Sequence, residues 1–214
     1  MAPTQLTFSK ARQLLRRTAS QRLEGHGFRH IEELSFARTI PEGIALIHFS
    51  IRHGSHKEAC FSFGVGIRFS AVEEFLHPDD EEPLMPTVGL PASKLVAGSA
   101  FPEWCLNENP RALDQIEEAI QLVLGDGRRF LDHYSSLSEV AAELRYDDPS
   151  HWFVLSAEER IATLVTIEFI NGQRTEAIRR LGAFLDEHPM LSARKRAPLI
   201  QLHGRLLSST KEGN

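Results

Sequence analysis

Cys60–Ser70 reads CFSFGVGIRFS, and its alternation decides the fold. Phe61, Phe63, Val65, Ile67 and Phe69 share one parity. Cys60, Ser62, Gly64, Gly66, Arg68 and Ser70 share the other. Successive side chains of a strand point to opposite faces, so period-two alternation predicts a β-strand with one face on a core and one small, polar or wet face. Such a strand belongs to an antiparallel sheet buried on one side.

Outward from this strand the pattern extends in both directions. Phe8, Ala11, Leu14, Leu15, Ala19 and Leu23 recur at helical spacing and predict an amphipathic helix over 8–24, stopped by Gly25 and Gly27. Leu34–Ile40 and Ile44–Arg52 read as two further strands, separated by the turn Pro41-Glu42-Gly43. Short connections make the three strands a meander. Six prolines punctuate 77–110, with a fourth strand expected near Lys94–Ala97. Asn109-Pro110 opens a helix over 111–124, which Gly125-Asp126-Gly127 should break. Shorter helices follow at Arg128–Tyr134 and Ser138–Arg145. Ser156 and Glu159 have capping-box spacing ahead of a helix over Ala157–Ile170. The turn Asn171-Gly172, a helix over Thr175–Glu187 and a last helix near Pro198–Leu207 complete the chain. The predicted class is α+β: an antiparallel sheet of three to five strands with flanking helices, and a helical C-terminal region. The expected domains are 1–148, around the sheet, and 149–214, a helical hairpin packed on it.

At 214 residues, with 42% hydrophobic and 25% charged side chains, the chain has globular composition and can bury a core without staples. Two cysteines, Cys60 and Cys105, imply no disulfide framework and no cysteine-based zinc site. They could pair if they met in space, but such lean usage suits a reducing cytoplasm. No signal peptide and no membrane span are expected. The net charge is −5 but uneven. Residues 1–40 carry seven basic and three acidic groups, and residues 71–120 carry two basic and eleven acidic. No domain-wide basic excess supports nucleic-acid binding.

The C-terminal hairpin resembles one tetratricopeptide-type unit, through Leu164, Gly172, Ala177, Leu181 and Pro189. Glu168 stands where that repeat has an aromatic, and Phe184 where it has a small residue. Residues 8–135 resemble an uncharacterised bacterial α+β domain family. The resemblance rests on Gly27-Phe28 after the first helix, Phe36 and Arg38 on the first strand, the FSI and FSFGVGI segments, and Trp104 ahead of a helix linked to RRFLDHY. It implies the fold and, for some members, an immunity-type role beside toxins. It transfers no catalytic residue.

No motif for chemistry matches that clarity. His53-Gly54-Ser55-His56, with Glu58 and Cys60 nearby, is the nearest approach to a metal cluster, but zinc needs three or four ligands on a fixed scaffold, and the ordinary reading is a solvated hairpin. His26 and His30 straddle a glycine break. His48 lies on the polar parity of its strand, as surface histidines do. Asp79, Asp80, Glu81 and Glu82 lack calcium-loop spacing. Gly64 and Gly66 are no phosphate cradle; they permit close approach by a helix or a ligand. No catalytic residue and no cofactor are expected. The residues read as a cytoplasmic binding protein with a protein partner, meeting it through His48, Ser50, Ser62 and Arg68 or through Asp79–Glu82. The alternatives are a small metal-dependent hydrolase using His53 and His56, and a regulatory domain binding a small molecule between sheet and helices.

Overall fold

A computed structural model of the chain describes residues 6–54, 58–78, 85–95, 103–106, 109–146 and 153–209. The acidic run Asp79–Glu82, His56, Trp152 and the C-terminal tail from Thr210 lie outside them. Two compact units divide the chain: 1–67 with 89–135, and 68–88 with 136–214.

The first unit starts with helix α1, Phe8–Glu24. The Thr7 side chain accepts from the Lys10 N–H at 3.4 Å, and Ala11, Leu15, Ala19 and Leu23 form its buried stripe. Gly27 turns the chain with φ +82°, a conformation that costs a glycine nothing. Strands β1 (Arg29–Glu32), β2 (Ser35–Ile40), β3 (Gly43–His53) and β4 (Ala59–Arg68) follow. With β5 (Val88–Pro91) and β6 (Trp104–Leu106) they form a six-stranded sheet. Its order is β1-β2-β3-β4-β5, and β6 also pairs with β4, antiparallel.

The alternation read in the sequence sets the two faces. Phe36 lies opposite Ile47 in the β2–β3 register. Phe36, Ala45, Ile47, Phe49, Phe61, Phe63, Val65 and Ile67 are all buried. Their rings form a chain: Phe36 to Phe49 at 6.0 Å, Phe49 to Phe63 at 6.0 Å, and Phe63 to Trp104 at 5.8 Å.

The first unit differs from expectation in three places. Strand β1 is exposed at all four positions, so it has no apolar alternation to read; it pairs with β2 through a tight turn at Glu33. The strand expected near Lys94–Ala97 is replaced over its described part by a helical turn, α3 (Ala92–Leu95). Strands form instead at β5 and β6, where Val88, Leu90, Trp104 and Leu106 supply the buried side chains. Helix α4, Asn109–Leu122, is not broken at Gly125–Gly127. It widens through a π-helical segment, Val123–Gly127, and continues as α5, Arg128–His133. A Cβ on Gly127 would lie 3.2 Å from Val65 Cγ1, so glycine here brings the helix backbone against the sheet rather than ending the helix.

The second unit is helical. Helix α2, Ser70–Leu76, follows β4, where the sequence pattern predicts no helix. Then come α6 (Leu137–Leu144), α7 (Ala157–Ile170), α8 (Arg174–Glu187) and α9 (Ala193–Ser209). The Ser156–Glu159 capping box is formed. Helix α9 begins before the expected Pro198 and contains it. Val165, Leu181, Leu185, Leu199, Leu202 and Leu206 make the core, with Phe75 and Leu76 of α2 packed against it.

Arginines terminate these helices. The last carbonyls of a helix have no partner inside it and carry its negative end. Arg160 donates to the carbonyls of Glu143, Leu144 and Tyr146 at the end of α6. Arg196 does the same for Leu185 and His188 after α8, and Arg205 for Leu76 of α2. Glu168, where the resemblance expected an aromatic, is 1% exposed, and both its oxygens accept at 3.1 Å, from Arg145 and Arg180.

Two outcomes are expected. Phe61→Ala should lower unfolding free energy by about 3–5 kcal/mol in denaturant titration, whereas Ser50→Ala on the opposite parity should stay within about 0.5 kcal/mol. Glu168→Ala removes one partner from each guanidinium, leaving Arg180 with Glu176 and Arg145 with Gln173. Because both remain partly exposed, the loss should be about 1–3 kcal/mol, below that of a fully buried pair, and a lower melting temperature checks it.

Candidate functional site

The second face of the sheet carries the side chains on the other parity. From β2 come Ser35 and Ala37, from β3 His48, Ser50 and Arg52, and from β4 Cys60, Ser62 and Gly64. Ser35 and His48 are directly opposed in register, and the Ser35 hydroxyl bonds His48 Nδ1 at 2.9 Å. His48 and Ser50 are exposed, and Ser62 is half-buried. Arg52 reaches Glu103, just ahead of β6, at 2.6 Å. This strip of small and polar groups is where three of the predicted contact residues meet.

Arg68 does not join them. Its Nη1 donates to the Met85 carbonyl at 3.0 Å and lies 3.8 Å from the Glu73 carboxylate. Thr87 Oγ1 in turn accepts from the Phe69 N–H and donates to Glu73. Arg68 thus belongs to a local clamp that ties segment 85–87 to the start of α2.

The histidine loop splits. His53 has the parity of Phe49 and Ile51, and its ring stacks on Phe8 of α1 at 4.3 Å. Glu58 and Cys60 have the opposite parity. His30 is not drawn into a ligand pair with His26 either: it bonds the Glu33 carbonyl, and His26 lies 3.4 Å from Arg128.

A cluster that sequence reading left open forms at the β4–β6 edge. Cys60 and Cys105 are directly opposed in register, with Cα atoms 4.0 Å apart, and form a disulfide. The bond spans 45 residues, a closure worth roughly 4 kcal/mol in lost chain entropy. Glu58 joins the two sulfurs: the three ligand-type atoms lie within 4.8 Å of one another. Gly54 covers them. A Cβ there would stand 2.6 Å from the Glu58 carboxylate and 2.7 Å from Cys60 Sγ. Two cysteines 45 residues apart give no spacing signal, because only the sheet register brings them together.

At the rim of the unit, Arg38 lies over the Phe28 ring at 4.9 Å and bonds Asp132 at 2.6 Å, which Arg128 also reaches at 3.2 Å. Partial burial opposes ionisation of Asp132, but the hydrogen bonds and charges of Arg38 and Arg128 outweigh it and hold the carboxyl below its ordinary 3.8. This is a structural tether between β2 and α5.

Among the described residues no helix is long and apolar enough to cross a membrane. Comparison with protein-family models, with curated proteins and with solved structures finds no match.

A folded-state pKa below the unfolded one stabilises the protein above the unfolded value, and the benefit is lost as pH falls through the folded value. Asp132→Asn should therefore be less stable than wild type at neutral pH and converge with it well below pH 3.8. Denaturant titration at both pH values checks the sign.

Proposed function

We propose that this chain is a non-catalytic binding protein that holds a protein partner on the second face of its sheet. The supporting observation is the asymmetry of that sheet. One parity carries the buried aromatic layer, while on the other, between the buried Leu46 and Cys60, the exposed His48 and Ser50 lie beside the half-buried Ser62. Small polar side chains on rigid strands give a preorganised surface and spend little conformational entropy on binding. In this reading the partner meets His48, Ser50 and Ser62, and Arg68, engaged with Met85 and Glu73, is not one of its contacts. An immunity-type role is the form implied by the sequence resemblance. Neither a nucleic acid nor a membrane is the partner, in keeping with the acidic balance. A cytoplasmic site of action is kept from the lean cysteine usage of the sequence; in that reducing setting the Cys60–Cys105 disulfide is the exception rather than the rule.

The full-length chain, immobilised and exposed to lysate of its source organism, should retain a specific protein. A His48→Glu/Ser50→Arg variant with unchanged melting temperature should lose it. Equal recovery by both proteins, or none under mild salt, would count against the reading.

A further inference from the structure

We propose that Cys60, Cys105 and Glu58 form a thiol-gated site for a thiophilic divalent cation of the zinc class, and that the disulfide is its closed state. The inference is independent of the partner surface. Thiolates and carboxylates are both zinc ligands, and a site with three protein ligands leaves the fourth position to water. The three donors come from fixed backbone: Cys60 and Cys105 are opposed in an antiparallel register, and Glu58 sits just ahead of β4. Two sulfurs on one tetrahedral ion stand about 3.8 Å apart at metal–sulfur bonds of about 2.3 Å. Residues whose Cα atoms are 4.0 Å apart reach that separation by side-chain rotation, without moving the strands.

Gly54 is the second observation. It is not among the glycines with positive φ, so its backbone does not require glycine. Its Cβ would overlap both the Glu58 carboxylate and the Cys60 sulfur. Its N–H donates to the Glu58 carbonyl at 2.7 Å, which fixes this close approach. The Gly54 backbone therefore sits directly against two of the three donors, in a space where no other residue could place a side chain without displacing them. Cys60 is 1% exposed, which keeps bulk water from one side of the ion.

Opening needs a thiol or phosphine reductant. With thiols, two RSH molecules deliver two electrons and two protons to the disulfide, giving two cysteine thiols and one RSSR. Zinc then displaces both thiol protons and bonds both sulfurs, so uptake releases two protons and becomes weaker as pH falls. The ion takes over the cross-link between β4 and β6 that the disulfide held.

The test uses the full chain, reduced with a phosphine that brings no competing thiol, and zinc ion alone as probe. Calorimetry should show one tight equivalent for the reduced chain and none for the oxidised one. Zinc should raise the melting temperature of the reduced chain, or refold it if reduction unfolds it. Cobalt in place of zinc should give a thiolate charge-transfer band. Glu58→Gln should weaken zinc binding by about tenfold or more, at least the loss that an outer-shell partner causes, and Cys105→Ser should abolish the cobalt band. Reduced chain that takes up no zinc overturns the proposal. So does uptake indifferent to both substitutions, which would assign the metal to histidines elsewhere.

Discussion

The aromatic chain from Phe36 through Phe49 and Phe63 to Trp104 is the contact on which the sheet unit depends. Each ring sits 5.8–6.0 Å from the next and bridges neighbouring strands. Burying such a side chain is worth about 1.5–3 kcal/mol, against about 0.5–1.5 kcal/mol net for a typical hydrogen bond. Register is therefore chosen by the apolar parity, and a one-residue slip would expose the whole layer. That strength lets a three-residue strand such as β6 hold its place. Trp104 stacks on Phe61 as well as Phe63, and the cysteine pair lies one residue further along.

The same constraint leaves the other parity nearly free of structural duty. His48 and Ser50 are exposed there, and Ser35 is engaged with His48 across the strands. The exception is the β4–β6 edge, where Cys60 and Cys105 also carry a cross-link. The proposed binding surface and the disulfide thus share one face of the unit, where Arg52 and Glu103 are also joined by an ion pair.

The helical unit is held differently. Its leucine core is ordinary, but its helix ends are fastened by arginines reaching back from later helices, Arg160 to α6, Arg196 to α8 and Arg205 to α2. Each places a cation at a helix's negative end and satisfies carbonyls that lack internal partners. Glu168 extends this pattern into the interior, a buried carboxylate compensated by Arg145 and Arg180.

Local pattern by itself determined the strands β2, β3 and β4, helix α1, the capped helix α7 and the hairpin it makes with α8, because periodicity and caps act over a few residues. It determined which parity of β4 is inside, and that His48 and Ser50 lie on the other. It could not find β1, whose four exposed positions carry no apolar rhythm, nor the continuation of α4 through Gly125–Gly127, where close packing on Val65 overrides the turn preference of glycine. The meeting of Cys60, Cys105 and Glu58, the separation of His53 from them, and the two arginines on Glu168 were decided only by tertiary structure. Each depends on strand register or helix packing between residues far apart in the chain, and a single sequence read locally holds no record of those distances.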